Sequence, residues 1–303
     1  MTVINMMSFG DSGAAIADEQ SSTRIRKYNV AQKLQVMGDS IIYGGSGASD
    51  FIGDLYTEVQ EKIVNGEGPI GLRDSYGITK NHLFDKKNSA KNDALYANAG
   101  ITLEEIQSGV LNSSGRPLSE GVKTAATNIM QSIDNAYDVG ILLGGIEKDK
   151  FEIYRMGSDS SGGRIVRPYE SIGSGSDEAD KVLSKYVSHL PRDKRESIDP
   201  QEGLIKLIEA TNAASNTNIG VGGTPSIVFI DKDGVKRPSE NQCILASEIV
   251  EGYVRSLLNK KFVYNSVNEL IRGNGDFEKI EERMKRNATS WQQLDRFLRG
   301  YKG

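Results

Sequence analysis

Thr2 is the residue of this chain best placed to do chemistry by itself. Met1 precedes a small residue, the context in which an initiator methionine is trimmed, and its removal would leave Thr2 with a free α-amine. A threonine of that kind carries its own nucleophile and base: the hydroxyl attacks a carbonyl while the amine, usually through a water, takes the proton. An α-amino pKa of about 7.7–8.0 lies close to neutral, so a modest fall leaves a base at working pH. Many strands begin Met-Thr with no chemistry attached, so the case rests on the residues that follow. Residues 3–9 are mostly apolar, Gly10-Asp11-Ser12-Gly13 is a turn signal, and residues 14–17 are a second short apolar run. A tight hairpin returns the end of its second strand to the start of its first, which brings Asp18 to Thr2.

Beyond the hairpin come Asp18-Glu19-Gln20-Ser21-Ser22, then Lys33 at the head of another strand, then residues 41–43 running into Gly44-Gly45-Ser46-Gly47 before a helix. Taken in order, this set resembles the proteasome β-subunit and HslV branch of the N-terminal-nucleophile hydrolases. The interval from Thr2 to Asp18 equals the one usual in that family, and residues 18–22 look like its Asp-Gly-Gln-Ala-Thr. Strands at 139–144 and 150–155, then Gly173-Ser174-Gly175 before a helix, follow the same order, and Ser174 is similar to the serine of the family's Gly-Ser-Gly motif. The resemblance covers residues 2–64 and 101–258.

The resemblance implies a role for each residue. Thr2 is the nucleophile and its amine the base. Lys33 is the cation beside it; a buried ammonium disfavours protonation of a neighbouring amine and so lowers that amine's pKa. Asp18 pairs with Lys33 and keeps it charged. The Gly45 N–H is the oxyanion donor, glycine allowing the substrate carbonyl to come close. Ser174 orients the nucleophile and its water, although a serine there also suits helix-start chemistry. Alternation along a strand ending at Gly45 puts Tyr43 on the same face as Gly45. Tyr43 then lies beneath the pocket for the residue before the scissile bond, with Ser21, Ala31 and Gly47 as walls, and makes that pocket shallow. The chain departs from the family before Gly222-Gly223, where Asn218 and Val221 stand in place of an Asp and a Ser. Asn218 can hydrogen-bond the α-amine without supplying charge, and Val221 cannot hydrogen-bond through its side chain.

Composition bounds the rest. A net charge of −4 gives no electrostatic footprint for nucleic acid or an anionic membrane. The single cysteine, Cys243, excludes an internal disulfide framework and reads as a buried thiol on a helix. No apolar run approaches a membrane span and no signal peptide is visible, so the expected compartment is cytoplasmic. No cofactor or metal is expected; the Gly44–Gly47 turn lacks the Lys-Ser/Thr of a phosphate-binding loop.

The elements that must position these residues follow from periodicity. Residues 33–37 and 40–43 read as a hairpin about Gly38-Asp39, and residues 23–27 as a short edge strand. Helical spacing marks 50–64, 118–136, 176–187, 200–214 and 242–258, with Thr102 and Glu105 forming a capped start. Residues 65–99 show weak periodicity and read as an insertion near 65–100. Residues 260–303 carry two short amphipathic helices and read as a surface element docked on a domain spanning 1–259. Strands and helices arrive in separate groups, which argues for an α+β arrangement. The resemblance implies a four-layer αββα sandwich, two antiparallel sheets flanked by helices. It also implies a threonine peptidase acting on unfolded polypeptide through an acyl-enzyme, assembled as a homo-oligomeric ring, with an ATPase as a candidate partner for substrate delivery. An N-terminal-threonine transpeptidase or amidase, and a ring scaffold whose site has decayed, are the alternatives.

Overall fold

The computed structural model describes residues 2–19, 21–22, 27–28, 32–65, 71–159, 161–218, 221–273, 275–296 and 298. The chain opens with β1 (Ile4–Ser8) and β2 (Gly13–Asp18), paired antiparallel from Ile4↔Ala17 to Ser8↔Gly13. A two-stranded ribbon follows, β3 (Ser21–Ser22) and β4 (Lys27–Tyr28). The edge strand expected at 23–27 falls largely outside the described residues. The second hairpin, β5 (Leu34–Met37) and β6 (Ile41–Gly47), has the expected turn at Gly38-Asp39. Four helices come next: α1 (Ser49–Val64), α2 (Leu72–Ala99), α3 (Leu103–Ser108) and α4 (Glu120–Ala136). Then come β7 (Val139–Glu147), β8 (Lys150–Met156), β9 (Gly162–Arg164), β10 (Tyr169–Ile172), α5 (Ser176–His189) and α6 (Pro200–Thr217). The chain continues with β11 (Pro225–Asp231), β12 (Gly234–Lys236), α7 (Glu240–Val254), α8 (Lys260–Ile271), α9 (Phe277–Asn287) and α10 (Trp291–Asp295).

The strands form two antiparallel five-stranded sheets, ordered β10-β1-β2-β11-β12 and β5-β6-β7-β8-β9. Alternation assigns their faces. Ile4, Met6, Ala15, Ala17 and Val228 of the first sheet share a buried cluster with Leu34, Ile42, Leu142 and Phe151 of the second. Val3, Met7, Ala14, Ile16 and Phe229, one residue out of phase, form the other face with α5 to α10. Helices, sheet and sheet thus make three stacked layers. Sheet-to-sheet approach is close at Gly13, where a Cβ would lie 2.3 Å from the Phe151 ring.

These layers belong to one of two compact units, Met1–Ser46 with Ile141–Arg155 and Gly163–Gly303. The other, Gly47–Gly140 with Met156–Gly162, carries α1 to α4. The capping box at α3 is present, Thr102 Oγ1 accepting from the Glu105 N–H and the Glu105 carboxylate from the Thr102 N–H.

One weakly periodic segment gains a definite structure, and one expectation is corrected. Residues 72–99 are one long helix, and its buried stripe explains the weak signal: Leu72, Ser75, Thr79, Leu83, Lys87 and Leu95 follow helical spacing, but half of them are polar. The C-terminal segment is core rather than a docked accessory. Phe262, Val263, Val267, Leu270, Ile280, Met284 and Leu294 are buried in the same cluster as α6 and α7.

Candidate functional site

The first hairpin delivers Asp18 as expected. The Asp18 N–H donates to Val3 O at 3.3 Å, and the Val3 N–H donates to Asp18 Oδ1 at 2.7 Å. The carboxylate is therefore fixed one peptide unit from Thr2. Its other oxygen lies 3.0 Å from Lys33 Nζ and accepts the Gly222 N–H at 3.3 Å. Both charged side chains are nearly closed to solvent, 3 % exposed for Asp18 and 8 % for Lys33.

Burial lifts the Asp18 carboxyl above its ordinary value, opposed by Lys33 and by the Val3 and Gly222 N–H groups. Burial lowers the Lys33 ammonium, opposed chiefly by Asp18 and less by Glu19. Each charge is supported by the other, so removal of either leaves a buried ion without its main partner.

Thr2 is half-buried immediately before β1. Its backbone nitrogen donates to Ser174 Oγ at 3.1 Å, and its carbonyl accepts the Gly175 N–H at 3.1 Å. The turn between β10 and α5 thus closes around Thr2 from both sides. That closeness needs Gly173, whose φ is +93° and whose Cβ, if present, would lie 2.2 Å from Thr2 O. Thr2, Asp18, Lys33 and Ser174, scattered over the sequence, are one connected group.

Gly45 does not take its expected part. Its N–H donates to Lys33 O at 3.2 Å as a rung of the β5–β6 ladder. The hydrogen bond wanted for an oxyanion is already made, and the next N–H facing that edge of β6 is that of Gly47. Tyr43 is also corrected. Ile42 and Gly44 face the sheet-to-sheet core, so Tyr43 points to the opposite face, where it is 1 % exposed and offers a substrate no surface. Burial raises its phenol well above the usual range. Of the other expected pocket walls, Gly47 ends β6, exposed and with φ +117°. Ser21 lies in β3, its side chain outside the described residues, and Ala31 lies outside them altogether.

Asn218 ends α6, and its Nδ2 donates to Ser174 O at 3.0 Å. It braces the serine that meets Thr2. Val221 is buried, and its Cγ2 stands 3.0 Å from where a Gly175 Cβ would be. A valine there packs the Ser174 turn through contact, where a serine would hydrogen-bond.

Two neighbours carried no assigned role in the sequence. The Gly222 N–H grips Asp18. Glu19, half-buried, has its carboxyl raised by burial and by the nearby Glu240, with a hydrogen bond from Ser226 and the Lys33 charge opposing. The one signal for Glu19 was adjacency to Asp18. Among the described residues no three His, Cys, Asp or Glu side chains are grouped to hold a metal ion, and no helix is long and apolar enough to cross a membrane. No family model and no curated protein matches the chain.

Proposed function

We propose that this chain is an N-terminal threonine peptidase that cleaves peptide bonds through an ester on Thr2. The observation that carries the reading is the buried Asp18–Lys33 pair, bound through the Val3 N–H to the residue next to Thr2. A desolvated ion pair is costly to bury, and, whereas the buried Glu170 pairs with the exposed Arg155 and Arg167, this one has both partners nearly closed to solvent. It makes sense as a charge held beside a nucleophile.

In this mechanism the nitrogen of Thr2 becomes a free amine once Met1 is removed. Lys33 disfavours its protonation, so it accepts the hydroxyl proton as Oγ1 attacks the scissile carbonyl. Ser174 Oγ, at 3.1 Å, holds that nitrogen in place. The amine returns the proton to the leaving amine, and a water activated by the same amine then hydrolyses the ester. The oxyanion donor in this reading is not Gly45.

The three stacked layers are consistent with the αββα sandwich of the proteasome-like hydrolases, whose fourth layer would be helical. The same reading carries a cytoplasmic, homo-oligomeric ring with unfolded polypeptide as substrate, delivered by an ATPase partner. A transpeptidase or amidase would use the same acyl-enzyme. The specific observation favouring an inactive scaffold is Val221, an apolar side chain at a place where the family has a hydroxyl.

The test is a peptide aldehyde or vinyl sulfone followed by intact-mass measurement. One adduct per chain, on a chain beginning at Thr2, supports the peptidase. A chain that keeps Met1 and takes no adduct is a scaffold. Added amine appearing in the product identifies transpeptidation.

A further inference from the structure

We infer a second binding surface, for an acidic, apolar-anchored peptide segment of another protein, at the end of β1 opposite Thr2. A cavity of about 690 Å³ opens there beside Ser8 and Gly10. Thr2 and Ser8 are separated by the length of β1, about 20 Å at roughly 3.3 Å per residue. The cavity's lining carries Lys150 and four arginines against the carboxylates Glu152 and Glu196. Arg164 is paired with Glu152 at 2.7 Å and Arg167 with Glu170 at 2.8 Å. The remaining three cations, Lys150, Arg192 and Arg195, have no carboxylate partner among the described residues. Arg195 donates to the carbonyls of Leu190 and Ser188, which leaves its charge uncompensated. A concentration of unpaired positive charge on a protein of net charge −4 marks this rim as selective for anions.

The floor is apolar, with Phe151, Ile153 and Val187, and at its lip Val166 is 93 % exposed between the two paired arginines. Beside it runs β9, the last strand of its sheet, whose outer edge has no strand neighbour among the described residues. An extended peptide can add to such an edge through its backbone while alternate side chains reach floor and rim. Apolar residues on one face and carboxylates on the other complement this groove. The chain's own last residues, with Arg299 and Lys302, carry the wrong sign.

The experiment measures binding of a fluorescein-labelled ten-residue peptide of alternating Glu and Val by anisotropy, beside a Lys-Val peptide of the same length. Wild type and Thr2→Ala should bind the acidic peptide equally, because the groove is remote from Thr2. Lys150→Glu/Arg192→Glu changes two exposed side chains with no fold role and should weaken binding about tenfold or more. N-methylation of alternate peptide nitrogens should weaken it similarly, and so should raising the salt concentration. Equal binding of the Lys-Val peptide, indifference to the charge reversal or to N-methylation, or loss of binding in Thr2→Ala would overturn the proposal. So would competition by free glutamate or inorganic phosphate at the peptide's own concentration, which would identify a small-anion site.

Discussion

Two lysines are buried among the described residues, Lys33 in the sheet-bearing unit and Lys87 in the helical one, and their surroundings differ in kind. Lys87 Nζ lies 2.9 Å from Asp134 Oδ1, an oxygen shared with Lys91 at 2.8 Å, and also donates to Ser158 O. Asp134 is 43 % exposed; against the cost of its own burial, the Lys91 and Lys87 bonds hold its carboxyl below the usual range. That lysine joins α2, α4 and the segment after β8, with water sharing the load. Lys33 is paired with a carboxylate that is itself nearly closed to solvent, and burial pulls its ammonium down. A structural lysine is given an exposed partner that makes the charge easy to keep. On the proposed mechanism Lys33 acts on a neighbouring amine, and a charge kept from water is screened least.

The largest effect belongs to Thr2, the proposed nucleophile. Thr2→Ala should lower turnover on the order of 10⁴–10⁶-fold, the scale for losing a covalent nucleophile, and abolish adduct formation. Its melting temperature should stay at the wild-type value, since the backbone bonds of Thr2 to Ser174 and Gly175 remain. Residual turnover within tenfold of wild type would show that another group attacks.

The comparison of lysines is broken or kept by one pair of variants. Lys33→Met should lower turnover about 10²–10⁴-fold, as expected for removing a group that tunes the base. Lys87→Met should leave turnover within about twofold and lower stability by about 1–3 kcal/mol, the loss of a buried charge-assisted bond. Urea melts and kinetics on both proteins are the check. If the two variants lose activity in proportion to stability, the distinction between them fails.

Stability sharpens the point. Asp18→Asn or Lys33→Met alone should destabilise by about 3–5 kcal/mol, because each leaves a buried ion without its main partner. The double variant should recover part of that, since no charge remains and an amide oxygen at position 18 can still accept from the Val3 N–H, while its nitrogen cannot accept from the Gly222 N–H. All three should lose roughly 10²-fold or more in turnover. Additive losses in the double-mutant cycle would show that neither charge depends on the other.

The pH profile gives a smaller, directional effect. On the proposed mechanism activity needs Lys33 charged, and burial sets its pKa below that of an ordinary lysine. The alkaline limb should therefore fall before the roughly 10.4 of a free lysine. Asp18→Asn removes the main influence raising that pKa, so in whatever activity it retains the limb should move lower still. An alkaline limb at or above the ordinary lysine value would contradict this placement of Lys33.

Much of this was legible before the fold was known, and the rest failed for identifiable reasons. The hairpin that brings Asp18 to Thr2, the β5–β6 turn and the Thr102–Glu105 cap all rest on short-range signals. The long helix α2 was hidden because Ser75, Thr79 and Lys87 occupy its buried face, so apolar periodicity is broken where burial is not. Gly45 and Tyr43 were misjudged for a different reason. A sequence shows which residues alternate, but not which N–H groups an adjacent strand consumes, nor which face of a sheet is already covered. The bond from Asn218 to Ser174 spans 44 positions and has no local signature.

That bond supports the smallest and most discriminating prediction. The resemblance to proteasome-like hydrolases would put a carboxylate at position 218, so Asn218→Asp restores the family pattern. The structure argues that restoration should fail. Asn218 Nδ2 donates to Ser174 O, an arrangement that a carboxylate cannot reproduce and that places its charge against a carbonyl oxygen. Losing a hydrogen bond of about 0.5–1.5 kcal/mol predicts a turnover loss of roughly 2–10-fold, through a loosened Ser174. Asn218→Ala should show the same loss with an unchanged pH profile. Asn218→Asp should add a shift of the acid limb to higher pH, because a nearby anion favours the protonated amine. Kinetics of both variants across pH separate the possibilities. A gain in turnover from Asn218→Asp would mean that position 218 serves the Thr2 amine directly, and that bracing Ser174 is incidental.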